Sequence, residues 1–174
     1  PNRIENTVEE ISKIVVYDGK KEVFTLSGLK LTDEDLADAA ALQAYVDAQS
    51  FALTGNNADN ILGGGAGDDS ISGAAGEDIL TGYAGDDRLS GGANSDIFAF
   101  APGDGADVIT DFRAKGGERD EIDLTAYGIT FEDLTIEASG KKSVLVSFGE
   151  GTDTILLEGS GLKVRDVGED DFTF

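Results

Sequence analysis

The chain has no cysteine, no histidine, no methionine and no tryptophan among its 174 residues. Without Cys it has no disulfides, and without Cys and His it lacks the sulfur and nitrogen ligands that zinc and copper prefer. The same absences exclude a serine-histidine triad, a cysteine nucleophile and a histidine-based metalloprotease centre. Positive charge is scarce as well: 13 Lys and Arg stand against 35 Asp and Glu, a formal net charge of -22. Nucleic acid and anionic membrane surfaces select clusters of Lys and Arg, so neither is an expected partner. No apolar run approaches the length that spans a bilayer, so no transmembrane segment is expected, and no N-terminal stretch reads as a signal peptide. The chain opens at Pro1 without a methionine and reads as a piece of a longer protein, so the missing signal says little about export. Zero cysteines fit an extracellular protein made rigid by metal and a cytosolic one equally well.

Glycine is abundant, at 24 residues, and it is placed in phase. Five consecutive nonapeptides, Gly55 to Gly63, Gly64 to Ser72, Gly73 to Thr81, Gly82 to Ser90 and Gly91 to Ala99, each open on glycine. The eighth place is apolar in every unit, as Leu62, Ile71, Leu80, Leu89 and Phe98, and the sixth reads Asn60, Asp69, Asp78, Asp87 and Asp96. Glycine reaches positive φ without steric cost and Asn and Asp tolerate it, so the first six places of each unit make a turn. The last three suffice for a minimal strand that points one apolar residue inward. Two units then form one coil of a flattened solenoid, and units eighteen residues apart stack on one edge. Asp69 comes beside Asp87, Asp78 beside Asp96 and Asn60 beside Asp78, and such pairs repel without a cation between them. Calcium suits the position, because it is hard and takes six to eight oxygen ligands in a flexible shell, whereas magnesium demands a tighter octahedron and keeps its waters. A Gly/Asp-rich flexible linker is the plain alternative, but a linker has no need of phase. Self-repulsion in the acidic ion-free chain implies that metal binding and folding are coupled.

Around the repeats the pattern changes. Ile11 to Tyr17 and Glu22 to Leu26 flank Asp18-Gly19 and predict a β-hairpin. Thr32 with Asp35, followed by Leu36, Ala39, Ala40, Leu42, Tyr45 and Val46, predicts a helix over about Asp33 to Gln49. This N-terminal part either caps the open first coil, whose edge would otherwise aggregate, or binds a partner. After Ala99 strands are predicted at Ile97 to Phe100, Asp107 to Phe112, Glu121 to Leu124, Leu134 to Glu137, Ser143 to Phe148, Asp153 to Leu157 and Phe172 to Phe174. This half is expected to be antiparallel and to continue the repeat core as one β structure. The fold class is therefore mainly β: a parallel β-roll continuing into a sandwich-like C-terminal cap, with an N-terminal hairpin and one helix. The expected divisions are 1–52, 53–99 and 100–174.

Units such as Gly64-Gly65-Ala66-Gly67-Asp68-Asp69-Ser70-Ile71-Ser72 and Gly82-Tyr83-Ala84-Gly85-Asp86-Asp87-Arg88-Leu89-Ser90 resemble the RTX, or haemolysin-type, calcium-binding repeat of bacterial proteins exported by type I secretion. The resemblance continues through Pro102-Gly103-Asp104-Gly105-Ala106-Asp107-Val108-Ile109-Thr110-Asp111-Phe112, Ile122-Asp123-Leu124 and Ser147-Phe148-Gly149. It implies Asp69, Asp78, Asp87 and Asp96 as carboxylate ligands, Asn60 as a weaker one, and carbonyl ligands from Gly65, Gly67, Ala74, Gly76, Gly82, Ala84, Gly91 and Ala93. It also implies that Asp107 and Asp111, a post-repeat acidic pair, bind a further ion. Ala58 and Asn94 depart from the pattern by replacing the fourth-place glycine, and Asn60 removes one charge from the first turn.

Fifth-place Asp68, Glu77 and Asp86 are expected to face solvent. The closing Glu169-Asp170-Asp171-Phe172-Thr173-Phe174 resembles a type I secretion signal and equally suits a terminal strand. The resemblance implies a secreted, extracellular, non-catalytic module, exported by type I machinery together with a passenger domain upstream of Pro1. It is expected to stay unfolded where calcium is scarce and to fold outside the cell, where millimolar calcium matches weak sites. The alternative is a polysaccharide-binding or surface-attaching module, for which Tyr83 is the one tyrosine in a repeat turn. A basic face gathering Lys20, Lys21, Lys115, Arg119, Lys141 and Lys142 would favour it. An enzyme using paired carboxylates is a third reading, although chance pairs are expected among so many acids.

Overall fold

A computed structural model describes residues 13–18, 21–27, 49–148 and 153–174. The predicted hairpin is present as β1 (Lys13–Asp18) paired antiparallel with β2 (Lys21–Ser27), with a register shift between Val16 and Tyr17. The helix expected over 33–49 falls almost wholly outside the described residues.

The repeats supply β3 (Ala52–Thr54), β4 (Ile61–Gly65), β5 (Ser70–Ala75), β6 (Ile79–Tyr83), β7 (Arg88–Ala93) and β8 (Ile97–Ala99). Even-numbered strands enter one parallel sheet and odd-numbered strands the other, as a two-unit coil requires. The cap adds β9 (Ala106–Ile109), β10 (Glu121–Asp123), β11 (Thr135–Ser139), β12 (Ser143–Ser147), β13 (Thr154–Glu158) and β14 (Phe172–Thr173). One sheet runs β14-β10-β8-β6-β4, and the other runs β11-β12-β13-β9-β7-β5-β3.

The cap differs from expectation in its strand directions. Only β11-β12-β13 form an antiparallel meander, while β9, β10, β13 and β14 join their roll-side neighbours in parallel. The chain leaves each repeat edge through long loops instead of tight hairpins, and loops of that length permit parallel addition.

Alternation along these strands builds a core of two facing rows. Leu62, Leu80, Phe98, Ile122 and Phe172 are cross-strand neighbours on one sheet. Leu53, Ile71, Leu89, Ile109, Leu157 and Val144 form the row on the other. All eleven are buried. Removing such side chains from water is what holds a solenoid whose turns carry almost no apolar surface. Among the described residues no helix is long and apolar enough to cross a membrane.

Candidate metal centres along the turn edges

Each turn sets its sixth-place side chain against the coil eighteen residues earlier. Asp78 Oδ1 accepts the Asn60 N–H at 2.7 Å, Asp87 Oδ1 that of Asp69 at 2.7 Å and Asp96 Oδ1 that of Asp78 at 3.0 Å. The rungs continue beyond the repeats, with Asp107 Oδ1 accepting from Asp87 N and Asp120 Oδ1 from Asp96 N. Two carboxylate ladders result, Asp69-Asp87-Asp107 on one edge and Asn60-Asp78-Asp96-Asp120 on the other. All seven side chains are buried. The fifth-place acids Asp68, Glu77 and Asp86 are exposed, as expected, and Asp68 and Asp86 still accept backbone N–H groups of the next coil.

The second carboxylate oxygens are the chemically open atoms. Asp78 Oδ2 and Asp87 Oδ2 are buried without a hydrogen-bond partner. A buried oxygen left without a donor is costly, and an anionic one more so. The first-place glycines mark where these oxygens point. A Cβ on Gly73 would lie 2.2 Å from Asp78 Oδ2 and 2.7 Å from the Gly91 carbonyl. On Gly64 it would lie 2.0 Å from Asp69 Oδ2 and 2.6 Å from the Gly82 carbonyl, and on Gly55 2.2 Å from Asn60 Oδ1 and 2.5 Å from the Gly73 carbonyl. Thus a side-chain oxygen of one unit and the first-place carbonyl of the unit two later converge over each of these glycines. Asp69 with Gly82 and Asp78 with Gly91 are pairs within the ligand set expected from the sequence.

The other expected carbonyl donors lie in the same stacked turns. Backbone conformation there is demanding: Ala74, Tyr83 and Gly92 in the second place, and Gly76, Gly85 and Asn94 in the fourth, all take positive φ. For Ala74 and Tyr83 such a conformation costs about 1–3 kcal/mol. The turns also stack closely, since a Cβ on Gly92 would lie 2.2 Å from the Ala74 carbonyl and one on Gly85 2.7 Å from that of Gly67. Gly65 N–H donates to Asp69 Oδ2, which closes its own turn. Gly65 and Ala74 hold second places, Ala84 and Ala93 third places and Gly67 and Gly76 fourth places of their repeats. Among the described residues no three acidic side chains gather into a metal site unaided, so backbone carbonyls must complete any shell.

Asp107 and Asp111 are not brought together. Asp107 is the last rung of its ladder, whereas Asp111 accepts the N–H groups of Gly91 and Gly92 and the Ser90 hydroxyl. Sequence reasoning missed Asp120, Asp104 and Asp153. Asp104 Oδ2 accepts the Ala101 N–H, and Asp153 Oδ2 accepts that of Gly103 and lies 2.8 Å from the Tyr127 hydroxyl. The missed signal for Asp120 is the motif acid-x-apolar: Asp107-Val108-Ile109 and Asp120-Glu121-Ile122 repeat Asp87-Arg88-Leu89 outside the nine-residue period.

Electrostatics follow this crowding. Burial first, then the neighbouring charges of Asp69, Asp104 and Asp68, push the Asp87 carboxyl up to about 6 from 3.8. Burial, then Asp120 and Asp78, does the same for Asp96, to about 6. Asp107, buried beside Asp87, Asp104 and Asp86, rises to about 8. Asp69 and Asp78 are also raised, chiefly by burial. A positive charge beside these edges would lower the cost of keeping their carboxylates ionised.

The fold is a parallel β-roll whose turn edges are lined by oxygen atoms. The family model for the RTX calcium-binding nonapeptide repeat matches residues 53–89 and 63–98, with four copies. The match covers residues 53–98, about a quarter of the chain, and it is to a repeat that binds calcium. No curated sequence matches the chain. Among solved structures it is similar to the R3 subunit of the Azotobacter vinelandii mannuronan C5-epimerase AlgE6, at 27% identity over 69% of this chain and 80% of that one, TM-score 0.32. The R2 subunit of the same epimerase matches at 26% identity over 74% and 94%, TM-score 0.33. The extracellular lipase LipA of Serratia marcescens matches at 24% identity over 88% of this chain and 24% of its own, TM-score 0.39.

Proposed function

We propose that the chain is a non-catalytic module of a secreted protein, unfolded where calcium is scarce and folded where it is abundant, and that it accompanies an upstream passenger through type I secretion. The observation that carries this reading is the pair of buried, donorless oxygens Asp78 Oδ2 and Asp87 Oδ2. Asp69 and Asp87, with the carbonyls of Gly65, Gly67, Gly82 and Ala84, would hold one ion. Asp78 and Asp96, with Ala74, Gly76, Gly91 and Ala93, form the second set. Asn60 gives the first turn a weaker, uncharged donor, and Asp107 extends the acid row beyond Asp87. Calcium, when bound, supplies two positive charges and accepts the six to eight oxygens that these turns present. Without it the chain must bury carboxylates beside one another while carrying a net charge of -22, which favours the extended state.

We take 53–99 and 100–174 to fold together, because β9, β10, β13 and β14 extend the same two sheets. The hairpin approaches the roll through β2 and β3, in keeping with a capping role for 1–52. The end of the chain pairs as β14 with β10, so an export signal read in the unfolded chain becomes a strand after folding. Polysaccharide binding gains little support: Tyr83 is exposed, but Tyr127 packs edge-on against Phe148, and Lys115 and Arg119 are engaged by Asp166 and by the Asp170 carbonyl.

The test is far-UV circular dichroism of the chelated chain titrated with calcium and, separately, with magnesium. A cooperative gain of β signal with calcium alone is expected, shifted to higher calcium in Asp78→Asn. A chain already folded in chelator and indifferent to calcium would overturn the coupled-folding mechanism.

A further inference from the structure

The two ladders end differently. On the Asp69-Asp87-Asp107 edge acids crowd the final rungs: Asp104 and Asp86 lie close enough to raise Asp107. Among the described residues neither Asp87 nor Asp107 makes an ion pair, and Asp87 Oδ2 has no donor. On the other edge Asp96 Oδ2, the counterpart of the donorless Asp78 Oδ2, has found a cation within the chain. Arg113 Nη2 lies 3.4 Å from Asp96 Oδ2 and 3.0 Å from Asp120 Oδ1, and it also donates to the Asn94 carbonyl.

Those three acceptors are not arbitrary. Asn94 and Asp96 are the fourth and sixth places of the fifth repeat, and Asp120 is the next rung on the same edge. One coil earlier the same places are Gly76, Asp78 and Asp96. The guanidinium therefore bonds the fourth-place carbonyl, the sixth-place Oδ2 and the following carboxylate, the kinds of oxygen assigned above to a calcium ion. The Arg113 backbone is fixed for the purpose. Its N–H donates to Asp120 Oδ2 at 2.8 Å and its carbonyl accepts the Asp120 N–H at 3.0 Å. Glu118 stands 3.9 Å from Nη1 on the outer side. A planar, permanently charged fork suits such a multiple acceptor site better than an ammonium would.

We propose that Arg113 is a tethered cation filling the last ion position of the Asp78-Asp96-Asp120 edge, so that this edge takes up one calcium fewer than its carboxylate stacking would provide. The inference rests on the inter-turn calcium reading given above. Its effect is to terminate the ion row with a charge that is covalently attached and independent of calcium.

Isothermal titration calorimetry with calcium on the full chain counts the ions directly. Arg113→Met is expected to bind one more ion per chain than wild type, and the added Asp120→Asn substitution to restore the wild-type number. Equal numbers in folded wild type and R113M overturn the inference and leave the calcium reading standing. A wild type that binds no calcium overturns both. Should R113M fail to fold in saturating calcium, D120N in the wild-type background decides. An unchanged ion number supports the tethered cation, and the loss of one ion overturns it.

Discussion

Gly73→Ala separates an ion position from an ordinary tight turn. Gly73 has no positive φ, and at such a glycine alanine commonly stabilises by about 0.4–1 kcal/mol through the unfolded chain. Here the new Cβ would sit 2.2 Å from Asp78 Oδ2 and 2.7 Å from the Gly91 carbonyl, in the gap where the two oxygens converge. The Asp78 carboxylate must turn away, and an ion held as proposed above would be lost. For a site with a Kd of about 10⁻⁴ M, in the extracellular range, that ion contributes roughly 2.7 kcal/mol at about 10 mM free calcium. The midpoint of thermal unfolding should fall by roughly 5–10 °C for a chain of this size. The decisive quantity is the calcium dependence. Above the Kd the stability gap between wild type and G73A should widen by about 1.4 kcal/mol per tenfold rise in calcium, the signature of one ion. Chemical denaturation across a calcium series measures this, with Gly117→Ala as control because a Cβ there meets nothing within 4 Å. A gap that stays constant across the series would show simple crowding and refute the assignment.

Two further outcomes follow from the same edges. Because folding raises the carboxyls of Asp87 and Asp96 to about 6 and of Asp107 to about 8, the ion-free folded state binds more protons than the unfolded chain, and its stability should fall as pH rises from about 4 to 8. Far-UV circular dichroism of the chelated chain at pH 5 and pH 8 checks this as the folded fraction, expected to be larger at pH 5, and a larger folded fraction at pH 8 contradicts it; calcium should flatten or reverse the trend, since its ligands must be deprotonated. Asn60→Asp adds a charge where Asn60 Oδ1 and the Gly73 carbonyl converge. It should tighten one calcium site by on the order of tenfold, seen by calorimetry, and an affinity left unchanged counts against an ion in the first turn.

The repeats were legible because their physics is local. A fixed nine-residue phase dictates both the inward row of Leu62, Ile71, Leu80, Leu89 and Phe98 and the edge row of Asp69, Asp78, Asp87 and Asp96, all of them buried. The cap was less legible because its register depends on loops of unequal length. Asp107 follows Asp87 by 20 residues and Asp120 follows Asp96 by 24, so the ladders persist while the period does not. The parallel pairing of β13 with β9 joins residues almost fifty apart, a distance over which alternation carries no information about direction. Arg113 was invisible for a different reason. A lone arginine in a loop acquires meaning only when Asn94, Asp96 and Asp120 are folded around it, and no spacing rule connects those positions.

The alternation of sheets along the repeats makes parity a property of the chain. Removing or adding a single nonapeptide would send every later strand to the opposite sheet and deliver Asp107 and Asp120 to each other's edges, along with the loops that follow them. Two units at a time leave every later residue facing the same way. The roll can therefore lengthen or shorten in steps of eighteen residues while the cap keeps its place on both sheets.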